Sequence, residues 1–355
     1  MDHAGLAFHN VADLVAVPGQ PGLRLQRMPE PDRLRLGPPV QSSPLCPTHA
    51  EVRWVPLPGS ADDDGVVRLT LHSVEHHEYL SVFNGDSLHQ ELCLHPGETR
   101  TIELPGRPVF GELHAAVQAK ARFGREVWRV RISGTGRVHF ISRAGIPVRP
   151  PLPAELPGRT LLAHGSSITM GFAAPRLADP WIQHVAEHLR WDVLNLGFGG
   201  ACHVEEAMAH HIAGRADWHA CVLELGVNLI GHRDISTSEF ARRVRRFIAV
   251  VGATGRPVLL LNILPLAADL QVSPDAWRMP EELRAALRAA HRDCGLPHVA
   301  LLDGTGLLPL PGGLTTDLVH PSAVGHAVIG VAVAARLHEL LADVRHQARP
   351  TLTPA

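Results

Sequence analysis

The sequence predicts an all-β sandwich, jelly-roll-like, over residues 1–150, an α/β domain over 151–345 and a short tail at 346–355. Three observations predict it. Up to about residue 145, short runs alternate apolar with polar residues between Gly, Pro and Asp. A proline-rich stretch, GIPVRPPLPAELPG (145–158), then interrupts the chain. Beyond it, nearly all-apolar runs alternate with helical patterns.

The first region offers AEVRWVPL, GVVRLTLHSV, YLSVFNG, RTIELP, EVWRVRISG and GRVHFISRAG as strands. Period-two runs with turn residues between them suit an antiparallel sandwich. Its aromatics Trp54, Tyr79, Phe83 and Trp128 read as core rather than as a sugar platform. The prolines of 145–158 cannot continue a central strand or a helix interior, so this stretch reads as the linker.

In the second region RTLLAH, DVLNL, ACVLEL, PVLLLNIL and HVALLDG read as five buried strands. Helical patterns fall near 204–212, 237–251, 280–293 and 323–343, and DPWIQHVAEHLRW starts another with Asp179 as N-cap and Pro180 in its first turn. Alternating units with all-apolar strands imply a parallel sheet covered on both faces. The run ARRVRRF (241–247) carries Val244 and Phe247 at inward positions, followed by Ile248, and reads as a solvated helix face.

Composition excludes several classes. The 355 residues are 45% apolar with a formal net charge of −2, which exerts no bulk pull on nucleic acid or anionic membrane. No window approaches the ~18 apolar residues of a membrane span. Asp2 and the broken apolar pattern after it predict no signal peptide. Five widely spaced cysteines without a CxxC pair read as reduced, mostly buried thiols and a cytoplasmic address.

Ligands of such sheets bind beyond the carboxyl ends of the strands. There the chain places Gly165-Ser166-Ser167-Ile168-Thr169, Asn195-Leu196-Gly197-Phe198-Gly199-Gly200, Gly226-Val227-Asn228 and, before the last helix, Asp317-Leu318-Val319-His320-Pro321. These residue types suit acyl transfer. A serine needs a base, and His320 is the candidate; Asp317, three residues earlier, can orient it. The backbone N–H groups of Ser167 and Gly200 and the amide of Asn228 can converge on an oxyanion, with glycine at 200 allowing close approach.

The four blocks, in this chain order, resemble the SGNH (GDSL-type) hydrolases over residues 159 to about 343. The resemblance implies a three-layer α/β/α, flavodoxin-like domain with a parallel five-stranded sheet. It also implies Ser167 as nucleophile, Asp317 and His320 as its partners, and Gly200 and Asn228 in the oxyanion hole. Two positions depart from the family pattern: Ser166 and Leu229 stand where many members carry Asp. A branch with G-S-S-I-T and an N-terminal sandwich is similar, and its members resemble carbohydrate esterases and an acyltransferase.

The implied activity is a serine ester hydrolase acting on small acyl esters, such as O-acetyl groups on a carbohydrate or polyol, with no cofactor or metal. An acyltransferase is the alternative within the same chemistry; a carbohydrate-binding or scaffold protein with a vestigial site is the alternative outside it. His164, His203 and Glu224 adjoin the blocks and either line the pocket or pack beneath it.

Other motifs fail. A G-x-G-x-x-G beginning at Gly197 would need glycine at 202, which is Cys202. The single lysine, Lys120, lies in no phosphate-binding loop, and Ser167 lacks the G-x-S-x-G elbow. In HSVEHHE (72–78), His72 and His76 have helical spacing within strand-like flanks, so the stretch reads as a surface loop rather than a metal site.

Overall fold

The computed structural model describes residues 1–58, 64–174, 180–230, 235–270 and 278–347. The expected N-cap Asp179 and tail residues 348–355 lie outside the described residues. The chain divides into two compact units, Met1–Arg159 with Arg190–Asn195, and Thr160–Leu189 with Leu196–Ala355.

The first unit is built from antiparallel sheets. Among the described residues, one has seven strands and runs in the order Asp2–His3, Leu6–His9, Ala50–Pro56, Trp128–Ser133, Glu78–Asn84, Ser87–Leu94, with Val148–Arg149 added on Ala50–Pro56. The other has five, in the order Asp13–Ala16, Leu23–Gln26, Val138–Gly145, Val66–Ser73, Thr99–Pro105. Alternation decides which face goes in. Along Val66–Ser73, Val67, Leu69 and Leu71 are buried while Arg68, Thr70 and His72 are not. Trp54 and Trp128 pack in the core with Leu6, Phe8 and Val130.

Several expectations need correction. Tyr79 is 51% exposed and is no core residue, unlike Trp54, Trp128 and Phe83. Ser81 and Phe83, of the same parity, are buried, so this strand exposes that face only at its start, where Tyr79 stands. The proline-rich stretch is not irregular throughout, because Val148 and Arg149 pair with Pro56 and Val55 before Pro150 ends the strand. Only Cys202 and Cys221 of the five free thiols are buried; Cys46, Cys93 and Cys294 are partly exposed. The strands within residues 1–26 and at Ser87–Leu94 were not anticipated. They are short or, at Ser87–Leu94, an edge whose residues stay largely solvated.

The other sheet is parallel, with strands Asp192–Gly197, Thr160–Gly165, Ala220–Glu224, Val258–Leu261 and Val299–Leu302 side by side. In chain order this is 2-1-3-4-5, the flavodoxin-like order, whose topological switch lies between the first and third strands. Every residue of Ala220–Glu224 and Val258–Leu261 is buried, as a sheet covered on both faces requires. The helix Thr237–Gly252 starts at Ser236, whose hydroxyl accepts the Glu239 N–H at 3.2 Å. It buries Val244, Phe247 and Ile248, and its arginines pair with Glu239, Glu206 and Asp293 on the outer face. The last helix, Ala323–Gln347, is the longest described; no helix among the described residues is long and apolar enough to cross a membrane.

Candidate active site

Three adjacent strands deliver three of the expected residues. Ser167 follows the first strand, Gly200 the second and Asn228 the third, so the neighbours of the central strand converge on the serine from either side. The fourth block comes from the loop between the last strand and the last helix.

Ser167 opens a four-residue helix, Ser167–Met170. Ser166 caps it: its hydroxyl accepts the Ile168 N–H at 3.1 Å and donates to Glu224 Oε2 at 2.7 Å. The same oxygen accepts the Ser166 N–H at 2.7 Å and the Thr169 hydroxyl at 3.0 Å. Gly165 allows this approach, since a Cβ there would stand 2.6 Å from Glu224 Oε2. Glu224 is thus a buried post under the turn that carries Ser167. Burial pushes its carboxyl pKa up, and the donors from Ser166 and Thr169 oppose that rise.

The Ser167 hydroxyl donates to His320 Nε2 at 2.8 Å, and His320 Nδ1–H donates to Asp317 Oδ2 at 2.6 Å. A tight turn makes the three-residue spacing work. Asp317 Oδ1 accepts the N–H groups of Val319 and His320 at 2.9 and 3.0 Å and the Thr315 hydroxyl at 2.7 Å. Leu318 adopts a left-handed φ of 56° to close this turn. Partial burial disfavours the Asp317 carboxylate, yet the donors from His320, Val319 and Thr315 prevail and hold its pKa well below the usual range. The carboxylate stays ionised beside the imidazole.

Gly200 sits at φ 68° in an exposed loop. A Cβ there would meet no protein atom within 4 Å, so the backbone conformation, rather than clearance from the protein, requires glycine. Asn228 lies in the turn Val227–Leu229 and accepts the Cys202 N–H on Oδ1 at 3.0 Å. With Oδ1 so engaged, Nδ2 is left to donate. Leu229, one of the two departures from the family pattern, is fully buried. Cys202 is no rival nucleophile, because burial raises its thiol pKa well above the ordinary value.

His164 is buried, with Nδ1 at 2.8 Å from the Leu196 carbonyl and its ring stacked on Phe247 at 5.8 Å. It packs below the site rather than lining it. His203 is half-buried, and its carbonyl accepts from Arg243 at 3.0 Å. Sequence reasoning missed two residues. Thr315 fixes Asp317, and Phe172, 48% exposed, sets its ring 4.6 Å from that of His320. Thr315 belongs to a polar turn two residues before Asp317 and was within reach; nothing in the sequence singles out Phe172.

The sequence model of the GDSL-like lipase/acylhydrolase family matches residues 163–328, which span all four blocks. Residues 163–328 are a GDSL-like lipase/acylhydrolase domain. The GDSL domain makes the chain an ester-hydrolysing enzyme. Solved structures with the same fold include a salicylyl-acyltransferase from a tetracycline biosynthetic pathway, 15% identical, with TM-score 0.72 over 95% of each chain. A candidate GDSL-like lipase from Bacteroides ovatus is 14% identical, with TM-score 0.65 over 89% of this chain and 92% of its own. A family two carbohydrate esterase from Cellvibrio japonicus is 12% identical, with TM-score 0.59 over 84% of this chain and 90% of its own. At such identities the likeness is one of fold. No curated protein sequence matches the chain.

Proposed function

We propose that this GDSL enzyme cleaves small acyl esters through an acyl-Ser167 intermediate, with an O-acyl group on a carbohydrate or other polyol as the substrate class. The observation that carries the reading is the unbroken relay from the Ser167 hydroxyl through both nitrogens of His320 to Asp317, at 2.8 and 2.6 Å.

In this reading Oγ attacks the ester carbonyl while His320 Nε2 takes its proton, and Asp317 steadies the imidazolium. The oxyanion accepts from the Ser167 and Gly200 N–H groups and from Asn228 Nδ2. His320 then protonates the leaving alcohol, leaving the acyl group on Ser167. A water, deprotonated by His320, attacks that ester; collapse releases the carboxylic acid and restores the serine.

An acyltransferase differs only in the second half, where an acceptor alcohol replaces water. The salicylyl-acyltransferase likeness over 95% of both chains favours keeping this second reading, and Phe172 offers an apolar ring beside His320 for an acyl or acceptor group. Two measurements test the proposal. A fluorophosphonate should label Ser167, and peptide mass spectrometry finding no adduct there would overturn the nucleophile. Turnover of p-nitrophenyl acetate should yield acetate in water; acyl transfer to added sugars or polyols at the expense of acetate would replace the hydrolase reading with the transferase one.

A further inference from the structure

Away from the serine, His77, Cys93 and His95 bring three ligand atoms within 4.8 Å of one another. The antiparallel register explains the meeting. Tyr79 stands opposite Cys93 and Glu78 opposite Leu94, so one step further along puts His77 opposite His95. Residues two apart share a face, which places His77, Tyr79, Cys93 and His95 together where that face is open to solvent, at the start of the first strand and the end of the second. Cys93 Sγ lies 3.7 Å from His77 Nδ1, and the two imidazoles are 5.1 Å apart at 80°. Two ligands of a tetrahedral zinc ion, one sulfur and one nitrogen, stand about 3.5 Å apart when their bonds are ~2.3 and ~2.1 Å. The observed Cys93–His77 spacing is close to that of two ligands on one ion.

We propose that His77, Cys93 and His95 form a zinc-class metal site with a water in the fourth position. Two imidazoles and a thiolate are the donor set that such an ion prefers over the oxygen-seeking magnesium and calcium. Binding replaces the Cys93 thiol proton, which leaves to solvent as the sulfur–metal bond forms. The site clips the open end of the hairpin formed by Glu78–Asn84 and Ser87–Leu94, and the second of these is the sheet's edge strand. An edge strand lacks partners on one side, so a cross-link at its end closes the route by which it frays. The pair His72 and His76, suggested by sequence spacing, takes no part: His72 Nδ1 bonds the Thr99 hydroxyl at 2.9 Å in the other sheet.

The test uses the full chain, stripped with a chelator and titrated with Co2+ and then with Zn2+. One equivalent of Co2+ should produce a thiolate-to-metal charge-transfer band, which Zn2+ abolishes by displacement. Cys93→Ser should remove the band and Cys294→Ser keep it. His77→Ala and His95→Ala should each weaken Co2+ binding at least threefold. The proposal is overturned by absence of the band, by its survival in Cys93→Ser, or by smaller effects of both histidine variants. All substituted side chains are at least partly exposed, and matching circular dichroism of the stripped proteins separates lost ligation from lost folding.

Discussion

Asn228 Oδ1 accepts the backbone N–H of Cys202 at 3.0 Å, which ties the loop after the third strand to the loop carrying Gly200. In the proposed mechanism this one bond serves both oxyanion donors, because it leaves Asn228 Nδ2 to donate and anchors the glycine loop. Asn228→Ala should lower kcat about a hundredfold, the range for losing one oxyanion donor, with little change in KM. Steady-state kinetics on p-nitrophenyl acetate measure this. An unchanged kcat would remove Asn228 from the oxyanion hole.

The hydrogen bond from His320 Nδ1 to Asp317 Oδ2 does more than hold the ring. It assigns the proton to Nδ1, so that Nε2 faces Ser167 as a lone pair. An amide at 317 can present an N–H instead and favour the opposite tautomer. Asp317→Asn should therefore cost kcat a factor on the order of 10⁴ with the fold intact. Loss of less than tenfold would show that the base is oriented by other contacts.

How far was this site legible? The buried parallel strands announced themselves as continuous apolar runs, and the polar blocks at their ends stood out against them. The relay was readable because Ser167, Asp317 and His320 belong to short motifs with fixed internal spacing. The role of Glu224 was not, because it acts through a fold-dependent contact across 58 positions with Ser166. Phe172 and the His77–Cys93–His95 group share that character, since neither has a local spacing to betray it. Ser87–Leu94 escaped for another reason: an edge strand keeps polar residues on the face a core would otherwise pattern.

Glu224 and Ser166 make contrasting demands. Glu224→Leu leaves the Ser166 N–H and the hydroxyls of Ser166 and Thr169 without their shared acceptor beneath the Ser167 turn. Each unsatisfied buried group costs about 1–3 kcal/mol, so the variant should lose several kcal/mol in urea unfolding, and kcat should fall with it. Ser166→Ala removes one donor and one cap contact; it should cost about 1 kcal/mol and keep much of the turnover. Equal losses in the two variants would mean that Glu224 has no special part in holding the turn.

His326 predicts how this domain responds to acid. Its Nδ1 accepts the Trp181 N–H at 3.3 Å, and its Nε2–H donates to the Phe172 carbonyl at 3.3 Å, so only the neutral ring satisfies both. Burial first, and then the neighbouring His184 and His320, hold its pKa down to about 4, against 6.5 for an ordinary histidine. Between those values the unfolded chain binds a proton that the folded chain refuses, so stability rises with pH across the window and is lost as pH falls from 6.5 toward 4. The difference between 6.5 and about 4 corresponds to about 3 kcal/mol. His326→Gln keeps an acceptor and a donor but does not titrate. Urea unfolding at intervals from pH 7 to 4 should show the wild type losing stability faster than the variant by that amount; parallel curves would mean that His326 is not the group responsible.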